Sequence, residues 1–110
     1  MADEGCYLYK IQPTRADLLA KGSTSNEDAI LTEHFSYLSD LTTKGIVLLA
    51  GRTLNSDTSS FGIVILKAAN ENIARAIMLA DPAVSRGVMR AELFPFRIAL
   101  CSDEIRNSMG

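Results

Sequence analysis

Two short segments of this chain, GIVLLAG at 45–51 and FGIVIL at 61–66, are apolar at nearly every position. Each is far too short to cross a bilayer, which takes about 20 apolar residues. Successive side chains of a β-strand point to opposite faces of the sheet, so strands of this composition need cover on both faces. The polar stretch between them, RTLNSDTSS, predicts a turn that makes the two strands antiparallel neighbours.

Strand and helix patterns alternate along the rest of the chain. The further predicted elements are strands at 5–12 and 88–100, a short helix or turn at about 14–20, a long helix from a cap at Ser25 or Asn26 to Gly45, and a helix that begins after Asn70. Pro95 requires an edge position, a bulge or a change of partner in the last strand. The order β-α-β-β-α-β predicts a ferredoxin-like α+β fold with an antiparallel sheet.

Helices on one face of such a sheet leave its other face uncovered. The two apolar strands nevertheless carry apolar side chains on both faces. The simplest cover is the same sheet of a second copy, packed face to face. The sequence therefore predicts a homodimer formed through the outer face of the sheet.

Length and charge limit the classes of protein that this chain can belong to. Its 110 residues suit one domain, with a folded core over 5–100 and a polar tail over 101–110. A net charge of −2, with no Lys/Arg cluster, argues against nucleic acid as a partner, because phosphates are bound by a basic face. The acidic start, MADEG, lacks the pattern of a signal peptide, so we expect a cytoplasmic protein without a membrane partner.

Several kinds of site find no support in the sequence. GxSxG, P-loop, GxGxxG and HExxH motifs are absent, which argues against nucleotide-dependent and serine-hydrolase mechanisms. Cys6 and Cys101 have no spacing typical of a metal or redox site and are expected to be free thiols. We therefore expect neither a metal nor a cofactor.

His34, the single histidine, lies on the apolar stripe of the long helix. That stripe is made of Ile30, Leu31, Phe35, Leu38 and Leu41. In one interpretation His34 is a core residue that makes one hydrogen bond. In the other it carries a proton, because histidine titrates near neutrality.

Asp81 stands directly before Pro82, where a helical pattern stops. Asp is a preferred N-cap and Pro a preferred first helical residue, so DPAVSRG predicts a capped turn closed by Gly87. A capping carboxylate can still offer its other oxygen to a neighbour. Asp81 therefore has two interpretations that do not exclude each other, a cap and a working carboxylate.

Arg52 follows the second strand, in AGR. It is either a solvated loop residue or a clamp for an anion or carbonyl of the substrate, since guanidinium offers five donors in a plane. Tyr7 and Tyr9 share one face of the first strand, where core or interface packing is favoured over substrate contact.

Taken in order, several segments resemble the YciI-like (YCII-related) proteins, small members of the dimeric α/β-barrel superfamily. The matching segments are EHFSYL with His34, LLAGRT with Arg52, FGIVIL, ADPAVSRGV with Asp81, and AELFPFR with Pro95. The resemblance implies a ferredoxin-like fold, a homodimer that forms a dimeric α/β barrel, and an active site that pairs His34 with Asp81.

Two functions remain open at this point. The family is similar to muconolactone isomerase-like and dehydrochlorinase-like enzymes, which act on small ring compounds. This similarity implies a cofactor-independent enzyme in which a His–Asp pair transfers protons on a small carbonyl or hydroxylated ring compound. The alternative is a non-catalytic module that binds a small molecule, or a partner, and keeps the family pocket.

Overall fold

The structure, a computed structural model, describes residues 5–105 as four strands and four helices. The strands are β1 (Gly5–Pro13), β2 (Val47–Arg52), β3 (Gly62–Ala68) and β4 (Met89–Phe96), and the helices are α1 (Asp17–Lys21), α2 (Ser25–Thr43), α3 (Glu71–Ala80) and α4 (Pro82–Ser85). The strands form one antiparallel sheet in the order β2-β3-β1-β4. This arrangement confirms the predicted ferredoxin-like α+β fold, and β2 and β3 are the predicted antiparallel neighbours.

The core lies between the sheet and the two longer helices. Burial alternates along β3, where Val64 and Leu66 are buried and Ile63 and Ile65 are half-buried. Tyr9 of β1 lies opposite Val64, and the same cluster includes Leu38 of α2 and Met78 of α3. Tyr9 is therefore held among apolar side chains on the helix-covered face of the sheet.

The opposite face of the sheet carries a continuous apolar row, here called the outer row. Leu49 lies opposite Ile65, Ile65 opposite Leu8, and Leu8 opposite Phe94, so each strand contributes one residue. Phe94 is 44% exposed, and the other three are half-buried. The apolar outer face expected from the sequence is thus present in the structure.

The N-cap of α2 lies one residue before the first of its two predicted positions. The cap is Thr24 rather than Ser25 or Asn26. Thr24 Oγ1 accepts a hydrogen bond from the Glu27 backbone N–H, and the Glu27 carboxylate accepts one from the Thr24 N–H. This reciprocal capping box selects Thr24, because only this residue has a glutamate three positions later.

Three other predicted features differ from the structure. Phe35 is 74% exposed although the stripe predicted it to be buried. It lies about 100° around the helix from His34, beyond the narrower face that α2 buries.

The short helix begins at Asp17 rather than at 14. Strand β4 ends at Phe96, where its pairing with β1 reaches Cys6, and not at 100.

Pro95 lies on an edge strand, as required. Residues 101–105 are exposed, and the rest of the predicted tail, 106–110, lies outside the described residues. Cys6 and Cys101 are free. Among the described helices, none combines the length and the apolar character that a membrane crossing requires.

Candidate active site

Asp81 is the single residue between two helices. It ends α3 and is the N-cap of α4, where Pro82 is the first helical residue. Its Oδ1 accepts a hydrogen bond of 3.0 Å from the Ala83 backbone N–H. The predicted cap is therefore confirmed. The residue is nevertheless fully buried, with 0% exposure, which a cap alone does not require.

Asp81 is buried against the long helix α2. His34 Nδ1 lies 2.7 Å from the same Oδ1. The His34 side chain is 15% exposed, whereas that of Asp81 is 0% exposed. On the surface beside this contact, Arg86 makes a two-pronged ion pair with Glu33, at 2.7 and 3.1 Å, which also joins α2 to the end of α4. The structure thus brings together the two residues that the family resemblance implies as a pair.

A third side chain, Tyr9, completes the group. Its hydroxyl donates a hydrogen bond of 2.9 Å to Oδ2 of Asp81, and both residues are 0% exposed. The sequence favours a packing role for Tyr9, and Tyr9 does pack in the core. A buried phenol needs a hydrogen-bond partner, and that requirement was the signal that could have drawn attention to Tyr9.

Burial and the nearby carboxylate both act on the tyrosines. Burial, followed by the charge of Asp81 and the hydrogen bond to it, raises the pKa of Tyr9 far above its ordinary value of 10.0. Tyr9 therefore keeps its proton and remains a donor to Asp81. Burial, followed by the charge of Asp81, also raises the pKa of Tyr37, whose hydroxyl donates to the Ile77 carbonyl at 2.7 Å instead.

Nε2, the second ring nitrogen of His34, is not bonded to Asp81 or Tyr9. Oδ2 of Asp81 accepts from Tyr9 and Oδ1 accepts from the Ala83 N–H, and a carboxylate offers only acceptors, which assigns the donor role in the contact with His34 to Nδ1. Nε2 has no hydrogen-bond partner among residues 5–105. Every fully buried side-chain nitrogen or oxygen in that range has a partner, so Nε2 is not fully buried. Nε2 therefore reaches solvent, and in the neutral ring it carries a lone pair that can accept a proton.

Arg52 lies apart from this group. Within the described residues it makes no hydrogen bond or ion pair with His34 or Asp81. It is exposed and borders a groove of about 270 Å³ whose walls include Leu49, Phe61 and Ile63. The structure does not bring Arg52 against the His34–Asp81 pair.

Metal binding has no candidate in the described part of the chain. No group of three or more His, Cys, Asp or Glu side chains in that part is arranged to hold a metal ion. The arrangement of Tyr9, Asp81 and His34 offers one solvent-facing proton acceptor backed by a buried carboxylate.

Comparison with known proteins gives a family and a fold. The family model described as the YCII-related domain matches residues 6–97. Among curated proteins, none matches this chain in sequence.

Two solved structures are similar in fold. One is a 5-chloro-2-hydroxyhydroquinone dehydrochlorinase from Burkholderia phenoliruptrix, in complex with 2,5-dihydroxybenzoquinone. It has a TM-score of 0.60 and 15% identity, with 83% of this chain and 93% of that chain covered. The other, an uncharacterised protein from Thermotoga maritima, has a TM-score of 0.53 and 11% identity, with 86% of this chain and 100% of that one covered. At these identities the likeness shows the fold alone.

Proposed function

Because the chain belongs to the YCII-related domain family, we propose that it is a cofactor-independent enzyme that transfers protons on a small carbonyl or hydroxylated ring compound. His34 is the acid–base residue and Asp81 is its partner. The observation that carries the proposal is the pairing of a solvent-facing imidazole with a fully buried carboxylate at 2.7 Å. A core histidine satisfied by one hydrogen bond would not need to keep its other nitrogen accessible.

In the proposed reaction, Nε2 of His34 takes a proton from a carbon or hydroxyl of the substrate. The ring becomes a cation, and the carboxylate of Asp81 stabilises that charge inside the protein. The proton then returns to a different atom of the substrate, which gives an isomerisation. Alternatively, the electron pair left behind expels an anion, which gives an elimination. The Burkholderia protein, a dehydrochlorinase by name, is the reason to include elimination.

Arg52 enters the proposal as a residue that binds a negatively charged oxygen of the substrate. Its guanidinium is exposed and has no hydrogen-bond or ion-pair partner among the described residues. A planar guanidinium with five donors suits a negatively charged oxygen. Arg52→Gln should therefore raise KM more than it lowers kcat.

The proposed enzyme is a homodimer in the cytoplasm. The outer row supplies an apolar surface on the sheet face opposite the helices, as a sheet-on-sheet dimer requires. The free thiols of Cys6 and Cys101 are consistent with a reducing compartment.

A ligand screen followed by a turnover assay tests the proposal. Phenolic, lactone and keto-acid compounds are screened for those that raise the melting temperature, and each compound that does so is assayed for turnover. His34→Gln should lower turnover by about 100-fold or more, because general base catalysis contributes at least that much. Ser36→Ala, an exposed change on the same helix, should leave turnover unchanged. Equal turnover in His34→Gln and the wild type would refute the proposal, and binding without turnover would favour a non-catalytic module.

A further inference from the structure

Tyr9, Asp81 and His34 form a chain of hydrogen bonds across three elements. The hydroxyl of Tyr9 on β1 meets Oδ2 of Asp81 at 2.9 Å, and Oδ1 meets Nδ1 of His34 on α2 at 2.7 Å. Tyr9 is 72 residues from Asp81, and His34 is 47 residues from it. This series of hydrogen bonds begins in the core at Tyr9 and ends at the His34 ring, whose Nε2 reaches solvent.

The two oxygens of Asp81 differ in how many donors they have. Oδ1 accepts from His34 and from the backbone N–H of Ala83. Oδ2 accepts from Tyr9, and no other described residue donates to it. Since Asp81 is fully buried, removal of the hydroxyl would leave Oδ2 without water and without a donor. A buried charged oxygen without a donor is costly, and the carboxylate relieves that cost by turning or by binding a proton.

Either response would weaken the hydrogen bond that Oδ1 of Asp81 accepts from Nδ1 of His34. A turned carboxylate lengthens the contact with Nδ1, and a protonated one accepts more weakly. The preference of the ring for carrying its proton on Nδ1 then falls. Nε2 becomes the protonated nitrogen in a larger share of molecules, and in that share it cannot accept a proton from a substrate.

We infer that Tyr9 is a positioning residue, whose hydroxyl holds Asp81 in the orientation that keeps the neutral ring of His34 protonated on Nδ1 and leaves Nε2 free. Tyr9 acts through Asp81 and touches no substrate. Its consequence for turnover rests on the proposed function, whereas its effect on the ring is a property of the protein without ligand. The raised pKa of Tyr9 keeps the hydroxyl a donor throughout the working pH range.

A second tyrosine of the protein, Tyr37, provides a matched control for a test of this inference. Tyr9→Phe removes only the hydroxyl that donates to Asp81. Tyr37→Phe also removes one tyrosine hydroxyl from the region between α2 and α3, but that hydroxyl donates to the Ile77 carbonyl. The readout is the tautomer of His34, measured from the ¹⁵N chemical shifts of the two ring nitrogens at the alkaline limit, in protein without ligand.

Tyr9→Phe should lower the ratio of the Nδ1–H to the Nε2–H tautomer by about tenfold, the value of one hydrogen bond to a charged group. Tyr37→Phe should leave the ratio as in the wild type. With a substrate in hand, Tyr9→Phe should lower kcat in proportion to the share of molecules that lose the Nδ1–H tautomer, with little change in KM. A folded Tyr9→Phe protein with the wild-type ratio would overturn the inference.

The wild type alone provides a second measurement if Tyr9→Phe does not fold. A wild-type ring protonated on Nε2 would overturn the inference. A ring protonated on Nδ1, together with a Tyr9 hydroxyl proton protected from exchange, would support it. If His34→Gln keeps full turnover, the proposed function fails, and the tautomer measurement still decides the role of Tyr9.

Discussion

At the scale of single residues, Asp81 accepts three hydrogen bonds with two oxygens, and asparagine cannot reproduce all three. Asn is as good an N-cap as Asp, so it can keep the bond from Ala83. The oxygen that accepts from Ala83 also accepts from His34, so the amide nitrogen, which cannot accept, replaces Oδ2 and the Tyr9 hydroxyl loses its acceptor. Asp81→Asn should therefore lower the free energy of unfolding by about 1–3 kcal/mol, because a buried donor is left without a partner.

Urea denaturation measures this loss, and Asn70→Asp is its control. That variant exchanges the same two residue types at the cap of α3, where the side chain accepts from the Ile73 N–H at an exposed site. It should change stability by less than about 0.5 kcal/mol. If both variants lose equally little, Asp81 is a cap and its contacts with Tyr9 and His34 contribute nothing to stability.

The separate properties of His34 and Asp81 could be predicted from the sequence, but their contact could not be derived from the residues alone. A histidine on an apolar stripe and an Asp before Pro are local patterns, and each was open to a structural interpretation. Their contact depends on how α2 crosses the α3–α4 junction, and only the family resemblance implied it. Tyr9 was missed as a member of the group because its hydroxyl reaches across the core to a residue 72 positions away.

At the scale of elements, the start of α2 is held by Glu27 as well as by its cap. The side chain of Arg15 donates two hydrogen bonds to the Glu27 carboxylate, at 2.6 and 3.1 Å, and so joins the segment before α1 to the first turn of α2. These bonds, followed by the one from the Thr24 backbone, lower the pKa of Glu27 from 4.5 to about 2. Since the folded pKa lies below the unfolded one, Glu27 contributes stability at neutral pH that is lost as pH falls from about 4.5 towards 2.

Glu27→Gln should remove that contribution and flatten the decline of stability over the same acidic range. Urea midpoints measured at intervals from pH 7 to pH 2 test this directly. Arg15→Gln removes the main donor and should produce a similarly flattened profile, and the double variant should resemble either single one at pH 7 because the two side chains share one interaction. A wild-type slope retained in Glu27→Gln would contradict the assignment.

The element patterns predicted the order of strands and helices but not all of their limits. Asn70, Gly45 and Asp81 mark helix ends by their own chemistry, and the structure has helix ends at or next to all three. Phe35 was wrongly expected to be buried, because the apolar pattern does not tell how wide a face the sheet and neighbouring helices cover. The end of β4 was misplaced for a similar reason, since a strand stops where its partner does.

At the scale of the whole molecule, the outer row leads to a prediction about assembly. A stable sheet-on-sheet dimer should bury at least about 1,500 Å² in total. Ile65→Lys places a charge in the middle of that row, opposite both Leu8 and Leu49, and should convert the proposed dimer to a monomer. Sedimentation velocity at micromolar concentration measures the result.

The same exchange on the helical side is the control for this prediction. Leu79 of α3 is 54% exposed, and Leu79→Lys should leave the dimer intact. A wild-type monomer at micromolar concentration, or an Ile65→Lys protein that remains dimeric, would contradict the outer face as the interface. The expectation of a covered outer face came from unbroken apolar runs, a signal that needs no knowledge of loop geometry or side-chain contacts.

The position of Asp81 between two helices has a consequence for how this family evolves. Selection for folding alone would retain this residue, because it ends α3 and begins α4. His34 lies in the middle of α2, where it caps no helix and closes no turn. A descendant that has lost the proposed activity should therefore keep the aspartate longer than the histidine. Among relatives of this chain, the histidine rather than the aspartate should distinguish proteins that keep the proposed activity from proteins that keep only the fold.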